Sequence, residues 1–373
     1  MWKCTEKHRN LSRLTHISFL SYPMEKAKRV NGMTEIQIAA VGDLMVKRYI
    51  ISEARQSDGT YSFDPLFAKV APYLKQADLT IGNLETTFAG NGPNSRRTLR
   101  SSGPIFKCPD ELAPALKKAG FDVLVTANNH CMDYGVPGLI RTLHVLDRHG
   151  LSHTGTSRSL EESRQVLIQN VKGIKIGILS YTAGTNRIPV PAGRPWLVNR
   201  IDTAKISREI RELKKKADLV LLYMHFGNEY HYTPNKRQKQ LVNLFFKNGA
   251  NIILGSHPHV LQPMESRGKK KFVIYSLGNF VSTKLMNIPY TQSGIILNLT
   301  IQKDPKGHTN ITSVNYIPTG VDRRMTSGGR STEIVPLRDV LKPGVSDRTG
   351  RRNNLNRMLN HTESILKREK SRH

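Results

Sequence analysis

The sequence has little cysteine and no long apolar segment. Its three cysteines lie at positions 4, 108 and 131 of 373 residues, and an odd number of widely spaced cysteines argues against a disulfide framework. No apolar run approaches the roughly 18 residues that a transmembrane helix needs, and the short apolar stretch at 17–22 lacks a typical signal-peptidase cleavage site. The sequence therefore favours a cytoplasmic or peripheral membrane location.

Acidic residues are also scarce. The chain has 29 Asp and Glu residues against 57 Lys and Arg residues, which gives a formal charge of +28. A field of this sign attracts polyanions such as nucleic acid, anionic lipid or an anionic polymer. A generally basic composition, or a basic tail, is the alternative interpretation. Because no nucleic-acid-binding motif is present, we expect no specific nucleic acid partner.

The remaining composition predicts one large folded domain with appendages. Apolar residues make up 38% of the chain, enough for a sizeable core. Residues 1–33 are predicted to be a poorly ordered N-terminal extension, 34–320 the domain, and 321–373 a basic C-terminal extension. Apolar residues near helical spacing predict an amphipathic helix in this last segment: Leu355, Met358, Leu359, Ile365 and Leu366.

Strand-like and helix-like segments alternate along the chain, which predicts an α/β fold. The predicted strands are 36–41, 77–81, 121–127, 175–181, 219–224, 251–254, 272–275 and 293–300. The predicted helices are 66–74, 112–119, 138–148, 206–217 and 239–248. A loop rich in Pro and Gly at 184–195 is long enough to be a lid or a specificity loop.

Metal-capable side chains follow the carboxyl ends of several predicted strands, and in open α/β sheets that edge is where ligands bind. The six candidates are Asp43, Glu85, Asn129, His225, His257 and His259. Asp43 alone could equally make an Asx-turn or cap a helix. Glu85 alone could make a surface salt bridge. Together the six residues favour a metal site.

Two motifs within this set are more specific. In the pair Asn129-His130, an amide oxygen can bind a metal while the adjacent imidazole transfers a proton, although such pairs also occur in turns. In His257-Pro258-His259, alternate residues project to one side and proline restricts the backbone between them. Two histidines at this spacing after a buried strand favour a metal site, with His225 as a third imidazole.

Six segments carry a family resemblance: V-G-D-L-M, G-N-L-E, A-N-N-H-C-M-D-Y-G, M-H-F-G-N-E-Y, G-S-H-P-H-V-L-Q-P and Y-S-L-G-N-F-V. Their order over residues 36–299 resembles that of the CapA family of poly-γ-glutamate capsule biosynthesis proteins, a branch of the calcineurin-like metallophosphatases. The resemblance implies a four-layer αββα sandwich and one or two divalent cations, of Mn, Fe or Zn. It also implies an anionic polymer, poly-γ-glutamate, and capsule synthetase components as partners, with peripheral contact to anionic membrane.

The resemblance further implies residue roles. Asp43, Asn129, His225, His257 and His259 match metal ligands, and His130 matches the catalytic imidazole. We expect four other residues to support the ligands or contact substrate, although turn and core packing is the alternative for the last two: Asn83, Asn128, Glu229 and Asn279.

Two positions depart from the phosphatase pattern. Met45 stands where the phosphatases carry a histidine, and Asn83 stands where they carry a bridging aspartate. A bridging carboxylate holds two cations close together against their mutual repulsion. A second cation therefore requires that Glu85 take over the bridging role.

Two functions are consistent with these features. The first is a metal-dependent hydrolase that cleaves an ester or amide bond during capsular polymer synthesis. The second is a non-catalytic component that binds the anionic polymer in the synthesis or export apparatus. A metallophosphoesterase of another pathway is a further alternative.

Overall fold

The computed structural model describes residues 32–90, 104–283, 285, 287–326, 329–342 and 351–367. The strands are β1 Thr34–Leu44, β2 Leu79–Asn83, β3 Val123–Val125, β4 Ser152–Thr154, β5 Leu167–Val171, β6 Ile174–Thr182, β7 Leu219–His225, β8 Ile252–Ser256, β9 Leu261–Arg267, β10 Lys271–Leu277, β11 Asn279–Val281, β12 Ser293–Lys303, β13 Thr309–Thr326 and β14 Gly329–Pro336. The helices are α1 Arg48–Ala54, α2 Asp64–Phe67, α3 Ala71–Leu74, α4 Leu112–Ala119, α5 Gly135–Arg148, α6 Leu160–Ser163, α7 Thr203–Leu213, α8 Lys236–Asn248, α9 Leu337–Val340 and α10 Arg351–Lys367.

The strands form two sheets. One has the order β14-β13-β12-β1-β2-β3-β4, with β11 also paired to β1, and the other has the order β5-β6-β7-β8-β10-β9. Neighbouring strands from β1 to β4 run parallel, as do β6, β7, β8 and β10. Each parallel set therefore ends at one edge of its sheet.

Alternate residues of each strand divide the core into layers. One apolar cluster lies between the sheets and includes Ile38 of β1 and Leu221 of β7. A second lies between the other face of the first sheet and helices α2, α4 and α5. A third lies between the second sheet and helices α7 and α8. This arrangement confirms the predicted four-layer αββα sandwich.

Helix boundaries follow local sequence signals. Asp202 begins α7 by accepting hydrogen bonds from the backbone N–H groups of Ala204 and Lys205. Asn235 and Gln238 form a capping box at the start of α8, and Gly249 ends that helix in the left-handed conformation. These caps satisfy backbone groups that the first and last turns leave without partners.

Each predicted strand overlaps an observed one, but the single helix predicted at 66–74 is wrong. This segment forms two short helices, α2 and α3, and Pro72 occupies the first turn of the second. Proline has no backbone N–H and clashes with the preceding turn, so it favours a new helix start over continuation of the old one. Six strands were not predicted: the short strands β4 and β11, the hairpin strands β5 and β9, and the C-terminal strands β13 and β14.

The C-terminal segment continues the first sheet. The predicted domain boundary at residue 320 lies inside β13, which pairs with β14 from Thr319 to Thr326. Helix α10 buries Leu355, Met358, Ile365 and Leu366, and Leu359 packs beside the cluster that contains Leu355 and Met358. The sheet therefore does not end at residue 320. The segments 1–31 and 368–373 lie outside the described residues.

Cys108 and Cys131 are both free thiols and both are buried. Cys4 lies outside the described residues. Among the helices described, none has the length and apolar character needed to cross a membrane.

Candidate metal centre

The carboxyl ends of β1, β2, β7 and β8 bring the predicted residues to one edge of the sandwich. Two glycines allow the approach of neighbouring backbone there. A Cβ atom on Gly42 would lie 1.9 Å from the carbonyl oxygen of Gly278, and one on Gly255 would lie 2.0 Å from that of Tyr275. Glycine is needed at Gly42 because the backbone between β10 and β11 packs against it rather than because the chain turns.

Asp43, Glu85 and His259 form the most compact group. One potential ligand atom from each lies within 4.8 Å of the other two, and all three side chains are buried. Nδ1 of His259 donates to Oδ2 of Asp43 at 3.2 Å and to Oδ1 of Asn279 at 3.1 Å. The lone pair of His259 is therefore on Nε2, which lies 3.8 Å from Oε1 of Glu85. A cation could bind between these two atoms.

Glu85 is the least satisfied side chain of the site. It is 0% exposed, and neither of its carboxylate oxygens has a hydrogen-bond partner within the described structure. Its Oε1 atom lies 3.7 Å from Nε2 of His225. A buried carboxylate without partners is costly unless a positive charge compensates it. The alternative of a surface salt bridge at Glu85 is wrong.

A second group adjoins the first across Glu85. Nε2 of His225 lies 2.8 Å from Oδ1 of Asn129 and 3.1 Å from Nδ1 of His257. The other ring nitrogen of His225 lies 2.9 Å from the Ser256 hydroxyl. An amide oxygen and two imidazoles therefore surround a second position next to the one that Asp43 and His259 define.

Backbone strain is concentrated in the segment that carries two of these histidines. His257 has φ 95° and His259 has φ 57°. Residues other than glycine rarely adopt positive φ angles of this kind. Such strain persists where surrounding contacts hold it and is common at functional sites. Here the His259 imidazole faces the carboxylates of Asp43 and Glu85, and the His257 imidazole faces His225.

His130 lies beside the candidate ligands and is held from both sides. Its Nδ1 donates to Oδ2 of Asp133 at 2.8 Å, and Nδ2 of Asn186 donates to its Nε2 at 3.3 Å. The same Asn186 accepts a hydrogen bond of 3.1 Å from Nδ2 of Asn129 through its own Oδ1. These contacts fix the tautomer of His130 and turn the amide oxygen of Asn129 toward His225.

Three of the four predicted supporting residues make hydrogen bonds at the site. Asn83 donates to Oδ1 of Asp43 at 2.7 Å, and Asn128 donates to Oδ1 of Asn83 at 3.1 Å. Asn279 accepts from His259 and donates to the carbonyl of Thr291. Asn83, Asn128 and Asn279 are fully or almost fully buried.

Glu229 differs from the other three because it is exposed. It acts on the site through its charge, which opposes the effect of burial on the pKa of His257. Among the described residues, the Glu229 carboxylate makes no hydrogen bond to a site histidine, whereas the Glu229 backbone carbonyl accepts one from His231.

The electrostatics of the site favour neutral imidazoles at His225 and His257 and disfavour the negative charge of Glu85. Burial, with a further contribution from the other histidines, holds the pKa of His225 well below its usual range. Burial and the neighbouring His259 lower the pKa of His257 to about 4. Burial and the charge of Asp43 raise the pKa of Glu85. Neutral imidazole is the form that binds a metal.

The residues present fit a divalent cation. The unpartnered oxygens of Glu85 need a positive charge, and the histidine and Asp43 ligand atoms lie around them. Asp43, Glu85 and His259 would hold one ion. Asn129, His225 and His257 lie on the other side of Glu85, beside this group.

Two residues that contact His130 were not predicted from the sequence. Asp133 lies three residues after His130 within the quoted motif, so its position offered a signal. Asn186 belongs to the loop at 184–195 and is linked to the site only by the fold. Its φ of 47° lies in the left-handed region that asparagine adopts more readily than most residues, but nothing in the sequence places it beside His130.

Fold and site together define the class, a four-layer αββα sandwich with a candidate carboxylate and histidine metal centre. The family model for the bacterial capsule synthesis protein PGA_cap matches residues 37–284. The chain belongs to this family, and the predicted resemblance is confirmed.

Two curated relatives are similar over most of the chain. The capsule biosynthesis protein CapA of Bacillus anthracis is 32% identical over 252 residues, which cover 66% of this chain and 60% of that protein. The PGA biosynthesis protein CapA of Bacillus subtilis (strain 168) is 31% identical over 278 residues, which cover 74% and 70%. The match thus spans 60% of the length of the first relative.

The similarity to solved structures is lower than the similarity to these relatives. The NAD nucleotidase of Haemophilus influenzae aligns with a TM-score of 0.48 and 14% identity, over 90% of this chain and 57% of that chain.

Proposed function

We propose that this chain acts in capsular poly-γ-glutamate synthesis as a metal-dependent hydrolase of an ester or amide bond. The observation that carries the proposal is the buried, unpartnered carboxylate of Glu85 between His225 and His259. The names of the relatives support the pathway: capsule biosynthesis, PGA biosynthesis and, at 24% identity, a probable polyglutamine synthesis accessory protein of Mycobacterium tuberculosis.

Within this proposal, Asp43, Glu85 and His259 would hold the first of one or two ions of Mn, Fe or Zn. Such an ion would polarise the scissile bond and lower the pKa of a water. Asp133 holds the Nδ1 atom of His130 by a hydrogen bond. Proton transfer between His130 and the leaving group therefore takes place at Nε2 of His130. Substrate displaces Asn186 from that nitrogen.

Hydrolysis by the metal-loaded protein tests this function. The protein is purified without chelator, loaded separately with Mn²⁺, Fe²⁺ or Zn²⁺, and incubated with poly-γ-glutamate and with a generic phosphodiester. We expect cleavage of one substrate by the wild type and at least about a hundredfold loss in His257→Ala. His308→Ala, which changes an exposed histidine, serves as control. Absence of cleavage of both substrates with every metal contradicts the enzymatic function.

The charge of +28 supports a second role, binding of the anionic polymer as a component of the synthesis or export apparatus, with capsule synthetase components and anionic membrane as neighbours. Attraction between exposed charges weakens as salt screens it. Affinity for poly-γ-glutamate should therefore fall steeply between low and physiological ionic strength. Affinity that is independent of salt contradicts this role.

A further inference from the structure

Lys47 is a half-buried cation beside the candidate metal centre that none of the assignments above uses. It follows β1, four residues after Asp43, and directly precedes α1. Its Nζ atom lies 5.6 Å from the centre of the Phe106 ring. The Phe106 ring in turn lies 4.2 Å from the His130 ring, centre to centre. Lys47 and His130 therefore both contact Phe106.

A backbone hydrogen bond links Phe106 to the catalytic candidate His130 through Asp133. The N–H group of Phe106 donates to Oδ2 of Asp133 at 2.6 Å, the oxygen that also accepts from His130. Met45, at the position where the phosphatases carry a histidine, packs in one buried apolar cluster with Phe106 and Leu285. Among the described residues, Met45, Phe106 and Leu285 therefore form an apolar surface on this side of the site, beside the ammonium group of Lys47.

The charge of Lys47 lacks a close counter-charge. Among the described residues, no carboxylate oxygen lies within 4.0 Å of its Nζ atom. Burial lowers the pKa of Lys47, and the charge of Glu85 opposes that effect. A cation bound by Glu85 would neutralise the charge that favours the ammonium form. An anionic ligand at Lys47 would replace that charge and add to the attraction between the half-buried ammonium group and the face of the Phe106 ring.

We infer that Lys47 and Phe106 form the subsite for one glutamyl unit of the substrate, with Lys47 bound to its free carboxylate. The inference rests on the proposed function, because it places the polymer at the metal centre. A γ-linked glutamyl unit has a pendant α-carboxylate and two methylene groups. The carboxylate matches the ammonium of Lys47, and the methylenes match the apolar surface of Phe106 and Met45.

Binding of a short γ-linked glutamate oligomer to the Mn²⁺-loaded protein tests this subsite, measured by calorimetry. We expect Lys47→Gln to weaken binding by at least about tenfold, the usual effect of removing one hydrogen-bonded charge. Lys47→Arg should bind within about threefold of the wild type, because guanidinium keeps the charge and stacks on an aromatic ring. The control is Lys175→Gln, an exposed lysine at the opposite end of the second sheet, near the start of β6.

Two further probes identify the chemistry. An oligomer with amidated α-carboxylates should bind the wild type and Lys47→Gln equally, because it carries no anion for Lys47. Inorganic phosphate tests the other anion: if Lys47→Gln weakens phosphate binding but leaves oligomer binding unchanged, the carboxylate assignment is overturned. Equal binding of the oligomer to wild type and Lys47→Gln, or no binding to either, also overturns it.

This experiment is separable from the test of hydrolysis. Oligomer binding that depends on Lys47 without any cleavage contradicts the hydrolase but leaves the subsite in place. Cleavage of the polymer that Lys47→Gln leaves unchanged, in both KM and kcat, supports the hydrolase and contradicts the subsite. Thermal unfolding of each variant verifies that the loss of binding is not a loss of folded protein.

Discussion

Oε1 of Glu85 lies 3.7 Å from Nε2 of His225, and both side chains are buried. The distance exceeds that of a direct hydrogen bond, so the imidazole does not satisfy the carboxylate. His259 stands at 3.8 Å from the same oxygen. Glu85 thus lies between His225 and His259, where its carboxylate would contact a cation held by either of these candidate ligands.

The first prediction concerns Glu85→Gln. We expect added Mn²⁺ or Zn²⁺ to raise the melting temperature of the wild-type protein, because a ligand that binds only the folded state stabilises it. The variant should lose most of this increase and bind metal at least about tenfold more weakly. Scanning fluorimetry and elemental analysis measure both effects.

Glu161→Gln is the control for this change, since Glu161 lies in the exposed first turn of α6. We also expect metal-free Glu85→Gln to be more stable than the metal-free wild type, by about 1–3 kcal/mol, because an amide costs less to bury than a carboxylate without partners. Metal stabilisation equal to that of the wild type would show that Glu85 is not a ligand.

The second prediction concerns Asn186, which contacts both His130 and Asn129. Removal of its amide frees the His130 ring and the Asn129 side chain to rotate. We expect Asn186→Ala and Asn186→Gly to lower kcat by about tenfold with a smaller change in KM. Steady-state kinetics on the substrate identified for the wild type provide the measurement.

The two Asn186 variants separate the side chain from the backbone. Glycine accepts the positive φ of this residue and alanine does not. Equal loss of kcat in both assigns the effect to the amide group. A loss confined to the alanine variant would instead assign it to loop conformation.

The third prediction concerns the close approach of strands at the site edge. A methyl group in Gly42→Ala would meet the Gly278 carbonyl oxygen at 1.9 Å, so β1 and the segment before β11 must separate. We expect the free energy of unfolding to fall by more than about 2 kcal/mol. Urea denaturation measures it.

Gly193→Ala is the matched control for Gly42→Ala. No atom lies within 4 Å of a Cβ at Gly193, and no positive φ is recorded there. Its stability should stay within about 0.5 kcal/mol of the wild type. An equally stable Gly42→Ala variant would contradict the strand packing described above.

The fourth prediction concerns the pH dependence of stability through Glu209 on α7. Burial raises the pKa of this carboxyl to about 7, although Lys205 Nζ lies 3.7 Å away and the Tyr181 hydroxyl donates to it. The folded protein therefore keeps a proton between about pH 4.5 and 7 that the unfolded chain has lost. The unfavourable charge is fully present above pH 7, so this contribution to stability falls as the pH rises.

Glu209→Gln should become more stable relative to the wild type as the pH rises from 5 to 8, by about 1–2 kcal/mol after allowance for solvent screening. Urea unfolding of both proteins at each pH measures the difference. Glu212→Gln, an exposed glutamate on the same helix, should lack this increase, because hydrogen bonding to Lys215 holds the pKa of Glu212 below its usual value. A pH-independent difference for Glu209→Gln contradicts the raised pKa.

Local sequence patterns predicted much of the fold. Apolar runs such as the one before Asp43 identified every long parallel strand, and the order of motifs identified the family. Short strands such as β11 escaped because three residues have no readable period. The continuous helix at 66–74 failed because Pro72 at a helix start and Pro72 at a helix break look alike in sequence.

The sequence by itself determined which residue types stand at the sheet edge, since parallel strands present their carboxyl ends together. Only the tertiary structure decided how these residues face each other. It places the Glu85 carboxylate near His225 and His259, the Asn186 amide beside His130 and the Lys47 ammonium group beside the Phe106 ring. Packing between segments far apart in the chain sets these contacts. Distances between side chains depend on how the two sheets stack, and no local pattern encodes that stacking.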